Sequence, residues 1–254
     1  MPAKQRARSA CEPRDTQAHT GAMDLVTEAL ADAARLILDR DPELLRIAAL
    51  SVAVSGAAAI LAALLGVPLG AALHLGRLPA RRPLALAVNT GMGLPPVVVG
   101  LAVTLVLWRT GPLGALRLLY TPPAMVLAQL IVALPLVAGF TRAALDLLDP
   151  DLALALRADG AGDRRVAYEL VHATAAQVLV AIAAGFGRAI AEVGASLMVG
   201  GNIVGQTRIL TTAIALEAGR GDFALALALG LVLLLLALLV NAGLSVAARL
   251  HAAA

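Results

Sequence analysis

The sequence predicts an all-α integral membrane protein: a bundle of about five spanning helices preceded by an amphipathic one. Three observations predict it. The chain of 254 residues is 60% hydrophobic and only 15% charged, and its mean hydropathy of +0.86 suits lipid rather than water as solvent. Five apolar stretches, at residues 47–73, 84–107, 122–141, 173–199 and 223–248, each provide the roughly 20 helical residues that cross about 30 Å of hydrocarbon. These stretches are continuous rather than alternating, which excludes a transmembrane β-barrel and leaves helices to satisfy the backbone in lipid.

Composition also narrows the function classes. Aromatic residues make up 2% of the chain, too few to stack on bases, so no nucleic-acid partner is expected. The net charge of +3 is carried mostly by loop arginines, which suits contact with anionic lipid headgroups and makes membrane lipid an expected partner. The sole cysteine, Cys11, cannot build a disulfide framework, a CxxC pair or a thiolate metal site within one chain. There is no GxxxxGK[ST] phosphate loop, and no HExxH or GxSxG motif, so the chain is not expected to be an enzyme.

Residues 1–22 mix Lys4, Arg6, Arg8, Glu12, Pro13 and Arg14 without a signal-peptide core and read as a disordered tail; Met23 is an alternative start. In residues 23–42, Leu25, Val26, Ala29, Leu30, Ala33, Leu36 and Ile37 recur at helical spacing opposite Glu28, Asp32 and Arg35, the pattern of an interfacial amphipathic helix. Residues 43–250 form the membrane domain. Its loops with Arg77, Arg81 and Arg82, and with Arg142, Arg157, Arg164 and Arg165, are richer in arginine than the alternate loops, which places them in the cytoplasm. Small residues such as Gly66 and Gly70 allow helices to approach closely. No internal duplication is visible, which counts against a secondary transporter built from inverted repeats.

Four features carry candidate chemistry. Asn89 to Gly100 interrupts the second span with Pro95-Pro96, a kink that either faces a pore or serves packing. In the fourth span Arg188 and Glu192 stand four apart on one helix face, an intramembrane pair that lines a path, holds a gate or joins helices. Ser196 follows in a glycine-rich run that reaches Asn202, Thr207 and Arg208, whose donors suit an anion or a docked partner at an outer loop. Residues 149–172 form a structured helix-turn-helix: Asp149 caps one helix, Asp159-Gly160-Ala161-Gly162 breaks it, and Asp163 caps a second. That element either rests on the membrane or docks a partner.

The run Leu154-Ala155-Leu156-Arg157-Ala158-Asp159-Gly160-Ala161, followed by Val171 and Ala173, resembles the cytoplasmic coupling loop of binding-protein-dependent ABC permeases. It keeps the glycine of the family pattern but has Leu154 in place of Glu, Leu156 in place of the second Ala and Ala173 in place of Pro. The Leu-Pro-Pro-Val-Val-Val-Gly run to residue 100, Gly111-Pro112-Leu113-Gly114 with Tyr120-Thr121, Ala128 to Pro135 and Ala191 to Ile203 further resemble tungstate-type ABC permeases. The resemblance implies a type I importer fold in the bacterial inner membrane and a dimer with a second copy of the chain. It implies cytoplasmic ATPase subunits that hold the ATP and Mg, an extracytoplasmic substrate-binding protein, and no cofactor on this chain. It assigns ATPase coupling to Ala155, Arg157, Asp159, Gly160, Ala161, Arg164, Arg165 and Val171. The expected path or gate comprises Asn89, Pro95, Pro96, Arg188, Glu192, Ser196, Asn202, Thr207 and Arg208.

Overall fold

The computed structural model describes residues 41–76 and 80–253, together with 26, 27, 30, 31, 34, 35, 38 and 39. The expected tail, 1–22, lies outside the described residues. So does much of 23–42, in which the described Val26, Leu30, Ala34 and Leu38 are helical and exposed.

Among the described residues the chain is helical and contains no strand. Helix α1 (Pro42–Leu75) starts where the sequence dictates: the Asp41 carboxylate accepts the Leu44 amide at 2.7 Å, and Pro42 takes a first-turn position that needs no N–H donor. It stops at Gly76, whose φ of 74° is left-handed, as helix ends favour. Helix α4 (Pro122–Asp146) packs along α1. A Cβ on Gly66 would lie 3.0 Å from the Val137 Cβ, and one on Gly70 would lie 2.6 Å from the Ala138 carbonyl oxygen, so only glycine allows these backbones to meet. The third long apolar helix is α10 (Phe223–Ala253).

The second expected span is not one kinked helix. It is two 12-residue helices, α2 (Arg81–Met92) and α3 (Pro96–Leu107), whose axes turn by 112°. At 1.5 Å per residue each is about 18 Å long, too short to cross alone. Pro95 and Pro96 force the break, because neither can donate to the preceding turn. Val88 packs with Leu73 and Ala138, and Gly91 abuts Pro135, so α2 is held against α1 and α4.

The fourth expected span also breaks. After α5 (Pro150–Ala158) and α6 (Asp163–Ala173), α7 (Ala175–Ile190) turns 79° away from α6 and ends at residue 190. A separate short helix, α8 (Gly194–Gly200), follows, and then α9 (Leu210–Arg220). Among the described residues three helices are long and apolar enough to cross a membrane, and up to five spans result if α2 with α3 and α6 with α7 each count as one. The core joins α1, α3, α4 and α8 through Val54, Val99, Val103, Met125, Val132 and Val199.

Candidate translocation path and coupling face

The α7–α8 junction gathers three of the sequence-nominated residues. Glu192 lies beyond the end of α7 and is 2% exposed. Its Oε2 accepts from Arg188 Nη1 at 3.0 Å, and its Oε1 accepts from the Ala195 amide at 2.9 Å. The carboxylate therefore satisfies an orphan donor of the first turn of α8, where the helix dipole also favours negative charge. Its backbone carbonyl accepts from Thr211 Oγ1 at 3.0 Å. The Arg188 side chain remains 32% exposed, so one end of the pair is sealed and the other is open.

Ser196, on α8, is fully buried and its Oγ accepts from Gln129 Nε2 on α4 at 3.0 Å. Gln129 Oε1 is buried with no hydrogen bond among the described residues. On the other flank, α3 presses on α8: a Cβ on Gly100 would lie 2.7 Å from the Ala195 Cα, and one on Gly194 would lie 2.7 Å from the Val97 Cγ2. The two helix breaks thus meet, with Pro96 one residue from the Val97–Gly194 contact. Asn89 lies apart from this cluster, exposed on α2, and Pro95 is exposed in the turn.

Asn202, Thr207 and Arg208 occupy a second site, the loop between α8 and α9. Thr207 Oγ1 donates to the Gly200 carbonyl and accepts from the Ile203 amide at 3.0 Å, which ties the loop to itself. Arg208 Nη1 lies 3.7 Å from Glu43 Oε1, while its Nε is buried without a hydrogen bond among the described residues. The last turn of α8 is joined to the 108–121 connection by the Tyr120 amide, which donates to the Val199 carbonyl at 2.8 Å. That connection frames a cavity of about 1120 Å³ with Trp108, Arg109, Arg117 and Tyr120 on its walls. The non-glycine residues with left-handed φ are Arg117, Tyr120 and Asn202, so the backbone strain among the described residues collects at this end.

The opposite end carries the helix pair α5–α6. Asp149 Oδ1 accepts the Asp151 amide at 2.9 Å, and Pro150 takes the first-turn position, as the sequence requires. Val166 and Leu170 on α6 are buried against Ala71 of α1 and Leu145 of α4, while Ala161 and Val171 pack at the edge of this cluster. Ala155, Asp159, Gly160, Arg164 and Arg165 are exposed, and Gly160, at φ 84°, has open space where a Cβ would stand. Arg157 lies 4.0 Å from Asp163, and Arg165 lies 3.4 Å from Glu169. At the root of the pair His74 Nδ1 is 2.6 Å from Asp146 Oδ1, and Arg142 Nε is 3.4 Å from Asp146 Oδ2, joining the ends of α1 and α4. Among the described residues no cluster of His, Cys, Asp and Glu could hold a metal ion.

Sequence reasoning missed Gln129, Thr211 and the His74–Asp146 link. A glutamine inside an apolar span was a visible signal; nothing in the sequence connects Thr211 to a residue 19 positions earlier.

Comparison with known proteins gives this arrangement its place. Residues 62–250 match the family model described as "Binding-protein-dependent transport system inner membrane component". The tungstate uptake system permease protein TupB of Peptoclostridium acidaminophilum is 37% identical over 220 residues, 87% of this chain and 96% of that protein. A probable anion ABC transporter permease protein of Haloferax volcanii is 44% identical over 204 residues, 78% of this chain and 88% of the relative. Among solved structures, an inward-facing form of the MetNI methionine ABC transporter superposes with a TM-score of 0.68 over 82% of this chain and 96% of that one, at 18% identity, a likeness of fold. The chain belongs to the binding-protein-dependent transport system inner membrane component family and is a multi-pass inner-membrane permease subunit of an ABC importer.

Proposed function

We propose that this permease carries a tungstate- or molybdate-type oxyanion into the cell, as half of a homodimer coupled to two cytoplasmic ATPase subunits and served by an extracytoplasmic binding protein. The observation that carries the coupling half of this reading is the α5–α6 pair. It stands on the ends of α1 and α4 through Val166, Leu170, Ala71 and Leu145, with its charged edge and the open Gly160 turn outward. A force on that tip moves two packed helices as one body. The cargo reading rests on the tungstate and anion permeases that match most of the chain.

ATP and Mg reside on the partner ATPases, whose closure pulls on the loop at residues 149–172 through Ala155, Arg157, Asp159, Gly160, Ala161, Arg164, Arg165 and Val171. The bundles rock between inward- and outward-facing forms. Arg188, Glu192 and Ser196 hold the break at which α8 pivots, Pro95 and Pro96 hold the facing break, and Asn89 lines the inner half. Asn202, Thr207 and Arg208 shape the outer mouth where the binding protein delivers its anion. Glycines at both contacts let α3 and α8 slide at backbone distance. The test is calorimetric titration of the partner binding protein with tungstate, molybdate and sulfate. Tight tungstate or molybdate binding with sulfate rejected supports the cargo; a preference for sulfate overturns it.

A further inference from the structure

At the coupling end, a slot of about 460 Å³ opens between the last turns of α1 and the flank of α6. Its α1 wall is apolar, running from Val67 through Ala71 and Ala72 to Leu75. That run rises about 12 Å along the helix, into the stretch that makes α1 a membrane span. Arg164 and Tyr168 stand on its other side, four residues apart and so on one edge of α6. We propose that this slot holds one anionic phospholipid, with an acyl chain along α1 and the headgroup phosphate at Arg164.

Three observations choose this occupant. First, α6 turns 79° from α7, the bend expected of an amphipathic helix that leaves a span to lie along the interface. Second, Arg164 is exposed and makes no hydrogen bond or ion pair among the described residues, whereas Arg142, Arg157 and Arg165 each have a carboxylate within 4.0 Å. Basic pockets between helices on the cytoplasmic side are where anionic headgroups bind. Third, Tyr168 is 65% exposed, with its ring stacked 6.1 Å from His172, an aromatic placed where interfacial tyrosines sit. Asp163 also borders the slot, but Arg157 at 4.0 Å and its place in the first turn of α6 offset part of its charge. The apolar wall from Val67 to Leu75 suits an acyl chain rather than the polar surface of a soluble ATPase. Arg164, counted above with the coupling loop, thus serves lipid along the edge of α6 that faces α1, and the ATPase contact falls to Arg157, Asp159 and Arg165 at the tip.

The test is native mass spectrometry of the full-length permease with phosphatidylglycerol and phosphatidylcholine of matched acyl chains. The expected result is preferential retention of one phosphatidylglycerol per chain. Arg164→Gln lowers that retention about fivefold, the share one arginine contributes at an anionic surface. Ala72→Phe, which fills the slot and leaves Arg164 in place, lowers it as well, and Arg109→Gln at the far end does not. Equal retention of the two lipids, equal loss from Arg109→Gln and Arg164→Gln, or unchanged retention in a folded Ala72→Phe protein overturns the proposal. Retention of glycerol phosphate as strong as that of the lipid assigns the site to a free phosphate and overturns it too. Should Ala72→Phe not fold, Arg164→Gln, an exposed change, decides alone.

Discussion

The chain breaks its spans twice, at residues 93–95 and at residues 191–193, by different physics. The first break is made by covalent geometry: Pro95 and Pro96 end α2 and begin α3 because neither can donate a hydrogen bond backward. The second contains no proline. There a buried carboxylate accepts from Arg188 and from the Ala195 amide, and Thr211 reaches in from another helix to take a freed carbonyl. A break made by proline is fixed, whereas one held by hydrogen bonds can be made and unmade. The second is therefore the junction suited to a moving gate, and the first to a fixed elbow beside it.

That contrast can be broken most directly at Glu192. Glu192→Ala leaves the Ala195 amide and the Arg188 guanidinium without their carboxylate and is expected to destabilise the folded permease by about 3 kcal/mol or more, measured by thermal unfolding in detergent. Glu192→Gln retains an acceptor for Ala195 but sets an amide donor against Arg188; it should fold, with a smaller loss, and abolish uptake. Normal uptake by Glu192→Gln removes this junction from the gate.

Glycine contacts between the two breaks come next in size. Gly100→Ala drives a Cβ into the Ala195 backbone and should cost about 1–3 kcal/mol. Gly200→Ala meets only the flexible Met125 side chain and should cost clearly less in the same unfolding measurement. Equal losses would show that α3 and α8 are not held at backbone distance.

Thr211→Val removes one neutral hydrogen bond and should cost about 1 kcal/mol. The smallest effect is expected from Pro96→Ala: the first-turn position suits either residue, and only about 0.4–1 kcal/mol of chain stiffness is lost. A larger loss for Pro96→Ala than for Thr211→Val would reverse the ordering of the two breaks.

This difference also sets what the sequence could reveal. The cap at Asp149, the helix pair at 150–173 and the proline break are local, and their residue types imply them. The turn of 112° at the proline break was not legible, because it depends on α2 packing on Pro135 and Ala138 of a helix some 45 residues away. The apolar pattern of residues 173–199 likewise gives no sign that Thr211 and Ala195 draw Glu192 out of the helix. For the same reason Arg188 and Glu192 were recognisable as a pair, but their helix-capping role was not. Gln129 stood in plain view as a polar residue in an apolar span, and its partner Ser196 only in space.

The most direct measurement is tungstate uptake into proteoliposomes that hold this permease with its ATPase, with the binding protein added outside. Uptake is expected to require ATP within and the binding protein without, and to be lost with Glu192→Gln in a folded complex. Tungstate entry without ATP, or entry of neither tungstate nor molybdate when the same assembly imports sulfate, would contradict it.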